Sequence, residues 1–528
     1  MKARLIKTVT AVMITVVCVV LIGLVYGLDT SAASAIMCLW AMGMGTAYFC
    51  ITDKLKYTNL FMYGAAAMCL ILWFIMCLNN NVEYDGGYTY AMVKHSFSDI
   101  VALTKEDFHS PLYYFLAKIG YTLCFKSIIG IKLTSFVFMI GYVLLAVFPV
   151  RKLFSDKMPA AFLIISAMMP GLIFHVSDAR MYGIAATAVL ATFILFVMLC
   201  KQPDKILYWV LFFLSSIFTM YIHTYAMFAT FLIYVAMLCI FIIGKKFSDK
   251  RVLISFAVNA CLVIVAYLPW LGVIIAQTSV RTGEVSNNGY VTNMRSLYDY
   301  AIEYFSFSGN VNKPSIVFFG LLVVLSLVYV IVRKAPNRLF AYIALGVFST
   351  IILVCHIISV VYFPLFIGRY AVPCLGLLCL FVAYALSLLK NKKAIVMILL
   401  TVMMFGMLVY KDYIKLYTDD EGLHGYVEFI NNTVTDEDLI IYQKVHTQYL
   451  QEFAGERNTM IYGNKLIYSP FKGEAFTDMR SITETPGNVY LVCLNDTFSY
   501  TPINDVTPEI VMQFHYMYYD VFVYKLNR

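Results

Sequence analysis

Two short stretches gather the residues best suited to chemistry. Glu83-Tyr84-Asp85-Gly86-Gly87-Tyr88 comes first, and Glu106-Asp107-Phe108-His109-Ser110-Pro111-Leu112-Tyr113-Tyr114 follows it. A carboxylate partly desolvated among aromatic rings is a stronger proton acceptor, which suits a general base or a metal ligand. The alternative is that Glu83 and Asp85 solvate a loop while Tyr88 and Tyr90 form an interfacial aromatic belt. Asp107 and His109, two positions apart, could reach one divalent ion or a leaving anion; otherwise His109 packs and caps a helix starting at Pro111. Further along, Arg180 follows Asp178, and a guanidinium oriented by a carboxylate matches a phosphate in two-pronged fashion. An ordinary interfacial ion pair or a snorkelling side chain would look the same. Arg369 and His223 occupy similar settings, at the ends of apolar runs. His223 could hydrogen-bond a sugar or phosphate, or be purely structural.

The elements that must position these residues are dictated by composition. The 528 residues are 61% hydrophobic and 13% charged, with mean hydropathy +0.78; soluble domains carry about 25% charged residues. Apolar runs of the roughly 20 residues needed to cross a bilayer recur as far as Tyr410, without the alternation of a barrel strand, so they read as helices. Spans are expected at 8–28, 31–51, 58–78, 131–150, 158–175, 180–200, 206–222, 225–244, 252–276, 314–332, 339–360, 369–389 and 394–411. The first, preceded by Lys2, Arg4 and Lys7, reads as a retained anchor rather than a cleaved signal. The 13 cysteines lie almost wholly in or beside apolar runs, with no C-x-x-C pair, and read as small buried side chains.

The net charge of +8 does not mark a nucleic-acid surface. With the N-terminus inside, the basic clusters Lys54/Lys56, Arg151/Lys152/Lys157, Lys201/Lys205, Lys245/Lys246/Lys250/Arg251, Arg333/Lys334/Arg338 and Lys390/Lys392/Lys393 all fall on the cytoplasmic side. The outer side then receives the loop 79–130, the turn 174–180, the loop 277–313 and the chain beyond Lys411, with nearly all the acidic residues. Residues 111–126 are apolar but interrupted and read as an interfacial amphipathic helix, because counting them as a span would invert every later cluster. The fold class is thus a polytopic α-helical membrane protein, 1–411, with a small extracytoplasmic α/β domain, 412–528. In that domain a helix at 422–431 precedes a sheet of three to four strands that include 439–442, 460–462, 489–492 and 521–524.

Asp85 after a span, then Asp107-x-His109-x-Pro111-Leu112-Tyr113-Tyr114, resembles the first outer loop of the GT-C glycosyltransferases, in particular the protein mannosyltransferase and aminoarabinose transferase group (glycosyltransferase family 39-like). Pro170 with Ser177-Asp178-Ala179-Arg180-Met181-Tyr182 resembles that group's central turn. Gly368-Arg369-Tyr370 with Pro373 resembles its late R-Y…P element, and Tyr221-Ile222-His223-Thr224-Tyr225 a recurrent outer-face turn. The matches cover roughly 79–375, in order. Three departures stand out: Gly86 replaces the second acid of an Asp-Glu pair, Ser110 replaces a proline, and two spans precede the usual first one.

The resemblance implies a GT-C fold and transfer of a sugar from a polyprenyl-phosphate carrier to a glycan, lipid or protein acceptor at the outer face. Asp85 and Asp107 are then the catalytic carboxylates, with Asp85 the general base. His109, Tyr88, Asp178, Arg180, Tyr182, His223 and Arg369 bind substrate, and Asp107 with His109 is the candidate site for a divalent metal. The competing class is a multi-pass lipid or sugar transporter or flippase, which usually places ionisable groups mid-membrane and repeats its halves. Here the acids gather at outer span ends, and the halves do not repeat.

Overall fold

The computed structural model describes residues 55–79, 81–106, 109–285, 292–306, 313–362, 366–418, 421–443, 445–455, 457–462, 475–476, 486–494, 507–516 and 519–527. The expected spans 8–28 and 31–51, and Asp107, lie outside the described residues.

Among those residues, eight helices are long and apolar enough to cross a membrane: Ile128–Leu153, Tyr182–Lys201, Thr224–Ile243, Lys250–Gln277, Pro314–Arg333, Arg338–Val361, Gly368–Ser387 and Ala394–Lys411. Two shorter apolar helices, Phe61–Cys77 and Ile206–Ile222, fill the expected positions at 58–78 and 206–222. This is a multi-pass membrane protein. Its peripheral helices turn apolar side chains outward, as Leu207, Phe231, Ile254 and Leu325 do, where lipid rather than protein is their solvent.

At one expected span the helix breaks. The segment 158–175 is not a continuous helix but two, Met158–Met168 and Pro170–Val176, bent by 69°. Proline disfavours the helical conformation in the residue before it, and Met169 duly adopts φ −74°, ψ 116°. Pro170 then opens the second helix from its first turn, where its missing N–H is no loss. The break delivers the chain to the Ser177–Arg180 turn.

The described chain forms two compact bodies that do not follow sequence order. One holds the chain up to Cys77, Ser135–Ser177 and Met181–Asp412; the other holds Leu78–Thr134, Asp178–Arg180 and Tyr413–Arg528. In the helical body, Tyr182–Lys201 and Leu375–Ser387 are almost wholly enclosed by their neighbours. In the second body the first loop is helical: Tyr84–Met92, Phe97–Glu106 and Pro111–Leu123. The last is amphipathic, burying Tyr113, Tyr114, Ala117 and Tyr121 while Ile119 and Leu123 face out.

Among the described residues the tail's sheet has six strands rather than three or four. They are β1 (Leu439–Gln443), β2 (Asn458–Tyr462), β3 (Ala475–Phe476), β4 (Val489–Leu494), β5 (Thr507–Tyr516) and β6 (Tyr519–Asn527), in the order β3-β2-β1-β4-β6-β5. The first four run parallel, and β6 and β5 add antiparallel pairs. Central β1 and β4 are buried along their whole length, the continuous apolar signature of a parallel core. Leu439, Ile441, Leu491, Cys493 and Tyr524 form one face of that core. The Glu421–Thr433 helix covers the other end of the sheet, Tyr426 stacking on Phe514 at 5.5 Å.

Candidate active site

In the second body, Asp85 sits at the start of the Tyr84–Met92 helix and is half-buried. An acidic side chain is favoured there by the unpaired N–H groups of the first turn. The Asp85 carbonyl accepts from Thr89 Oγ1 at 3.2 Å and from Arg180 Nη1 at 3.4 Å. The other end of the same guanidinium, Nη2, donates to His109 Nε2 at 2.8 Å. Arg180 thereby ties together two segments that lie 71 and 95 residues before it in the sequence. It is 5% exposed and Asp178 only 3%. Asp178 Oδ1 accepts the Ala179 N–H at 2.7 Å, which tightens the turn carrying Arg180.

The glycine at 86 has a local cause. A Cβ there would lie 2.9 Å from Val82 Cβ and 3.3 Å from Asp178 Oδ1. An acid at this position would be crowded and would set one buried carboxylate against another. As for a metal, the His109 lone pair that would bind one already accepts from Arg180, which fixes the ring proton on Nδ1. Among the described residues no three His, Cys, Asp or Glu side chains form a metal-ligand group. Tyr88, 6% exposed, lies tilted against Tyr114 at 6.2 Å between ring centroids.

The helical body holds the other expected residues. Tyr182, at the head of the enclosed Tyr182–Lys201 helix, lies between two imidazoles: His175 at 4.9 Å and His223 at 5.6 Å between ring centroids. His223 Nδ1 accepts from Tyr225 N at 3.1 Å, so this histidine is the N-cap of the Thr224–Ile243 helix. Its ring also meets Tyr370, which stacks on Tyr225 at 4.8 Å. Arg369 is half-buried within the 3-10 segment Gly368–Cys374. That segment is held by the Met294–Phe305 helix: Tyr304 donates to the Gly368 carbonyl at 2.7 Å and Tyr300 to the Phe366 carbonyl at 3.3 Å. Burial, with Asp299 and Glu303 nearby, pushes the Tyr300 hydroxyl up to about 12, so it stays a donor.

Sequence reasoning missed Glu303 and His175, paired at 3.2 Å. Glu303 also lies against Gly368, where a Cβ would come within 2.3 Å of its Oε2. The available signal was the spacing of Tyr300 and Tyr304, the buried face of a helix opened by the capping box at Asn293 and Ser296. Nothing in the sequence reports a pairing across 128 residues.

No family model matches the sequence, and no curated protein does. The structure, however, superimposes on ArnT from Cupriavidus metallidurans bound to undecaprenyl phosphate, with TM-score 0.58 and 12% identity over 87% of this chain and 97% of that one. The apo state of the same protein gives TM-score 0.58 and 13% identity over the same shares. The fold is GT-C-like. That likeness covers most of this chain and nearly the full length of ArnT. At this identity the likeness speaks for the fold, and residue roles rest on the geometry above.

Proposed function

We propose that the protein is a glycosyltransferase that moves a sugar from a polyprenyl-phosphate carrier to an acceptor hydroxyl at the outer face of the membrane. The observation that carries this reading is the Asp85–Arg180–His109 cluster, in which a buried guanidinium bonds the Asp85 main chain and His109 within one body of a GT-C-like fold. The fold likeness supports the carrier class, since the ArnT structure holds undecaprenyl phosphate. The six basic clusters on one side support an outer placement for the loops and tail.

In the reaction, the acceptor oxygen attacks the anomeric carbon and the bond from that carbon to the phosphate oxygen breaks. The polyprenyl phosphate leaves with the electron pair. Asp85, as general base, takes the acceptor's proton as the new glycosidic bond forms. The charge that grows on the leaving phosphate is met by the Arg180 guanidinium. Tyr88, on the same helix as Asp85, supplies a ring of the kind that holds a sugar. Asp107 remains a second carboxylate on the same loop.

The test is Asp85→Asn in purified full-length protein given undecaprenyl-phosphate-linked hexoses and pentoses, with carrier release as readout. Removing a general base lowers turnover by about 10² to 10⁴-fold. Undiminished release from any donor the wild type uses would refute the assignment.

A further inference from the structure

The tail has no role in the reaction as written, yet it is built around the catalytic loop. Tyr516, at the end of edge strand β5, places its hydroxyl on the backbone of Val82, 434 residues away in sequence. The hydroxyl accepts from Val82 N at 3.1 Å and donates to Val82 O at 3.1 Å. One phenol thus satisfies both main-chain groups of the residue that immediately precedes the cap of the Tyr84–Met92 helix, three positions before Asp85. Tyr516 is 1% exposed, and its burial holds the hydroxyl above its ordinary value, so the donor is kept.

Three further contacts join the same two pieces. Tyr449 of the 3-10 segment Val445–Phe453 presses on Gly87, where a Cβ would lie 2.4 Å from Tyr449 Cβ; only glycine allows this approach. Lys94, just past the helix, makes an ion pair with Glu452 and lies 4.1 Å from the centre of the Tyr90 ring. Tyr90 in turn stacks on Phe453 at 6.4 Å. The helix bearing Asp85 is therefore gripped at its start, middle and end by tail residues.

We propose that Tyr516, with Tyr449 and Glu452, is a positioning residue for Asp85: the tail fixes the direction in which the catalytic helix presents its carboxylate. This rests on the general-base reading of Asp85. A loosely held base loses rate rather than affinity, because geometry at the reacting atoms is what the positioning supplies.

Full-length protein in nanodiscs provides the test, by hydrogen exchange of residues 78–92 and by release of undecaprenyl phosphate from its linked sugars. Tyr516→Phe keeps the ring and removes both bonds. It should raise exchange at the helix start about tenfold and lower kcat about 10 to 100-fold with KM for the donor unchanged. Lys94→Glu should also slow turnover, and the reversed pair Lys94→Glu with Glu452→Lys should restore it. A merely structural role would lower the folded fraction and leave kcat per folded molecule and KM unchanged. Wild-type exchange and kcat in Tyr516→Phe, alongside an inactive Asp85→Asn, would overturn the positioning role and leave the base intact. An active Asp85→Asn would overturn the base, and the positioning role with it.

Discussion

Gly86 and Arg180 show how single side chains set the terms of this site. Where the resembled group carries an acid next to its catalytic aspartate, this chain has a glycine hemmed in by Val82 and Asp178. Placing an acid there with Gly86→Glu should therefore not raise turnover. Overpacking of this kind costs about 1–3 kcal/mol, and a lower melting temperature with turnover no better than wild type is the expected result. Arg180 donates from two nitrogens of one rigid plane, to the Asp85 carbonyl and to His109. Lysine keeps the charge and loses the fork. Arg180→Lys should reduce carrier release by about tenfold or more, which a steady-state comparison at saturating donor would measure. Asp85, His109 and Arg180 were legible as residues because each stands in a short motif beside an apolar run. That one guanidinium joins them was not, because no local pattern encodes it.

At the scale of elements, the apolar spans were legible because backbone groups in lipid leave the helix as the open choice. The break at Met169 follows from Pro170 but gives way, in a hydropathy reading, to the apolar residues on both sides. The two unforeseen strands have their own causes. β3 is two residues long, and β5 carries Pro508 and a bulge between Ile510 and Met512, mostly exposed at the sheet edge. Edge strands tolerate proline and lack the apolar run that marks a central strand. The turn before β1 is fastened by Asp438, which accepts from Thr435 N at 2.7 Å, from Thr435 Oγ1 at 2.9 Å and from Asn488 N. Burial pushes this carboxyl up, and the donated hydrogen bonds more than offset it, so it lies below its ordinary value. A depressed folded-state pKa contributes stability that is full above the unfolded value of about 3.9 and is lost as pH falls through the lower folded value. Asp438→Asn should weaken the sheet by about 1–3 kcal/mol at neutral pH and flatten its acid sensitivity below pH about 4. Exchange protection of β1 and β4 in the full-length protein, followed against pH, reports both.

For the whole molecule, the consequential feature is that the two bodies ignore chain order. The loop 78–134 and the Asp178–Arg180 turn group with the tail rather than with the helices they interrupt. Removing the tail would strip Tyr516 from Val82, Tyr449 from Gly87 and Glu452 from Lys94 at once. Truncation after residue 412 should thus abolish transfer to every acceptor rather than narrow acceptor choice. It should also open the loop 78–134 to limited proteolysis while the spans stay resistant. Unchanged protease sensitivity of that loop would contradict this account.

The sequence by itself determined the membrane embedding and, among the described residues, where most of the apolar helices lie. Those are local properties: hydropathy over a window, charge between windows. Only the tertiary structure decided that His109 accepts from Arg180, that Glu303 pairs with His175, and that a tyrosine near the C-terminus holds the backbone before Asp85. These join residues 71, 128 and 434 positions apart. They depend on which faces of distant elements meet, a question of packing that a residue's chain neighbours do not answer.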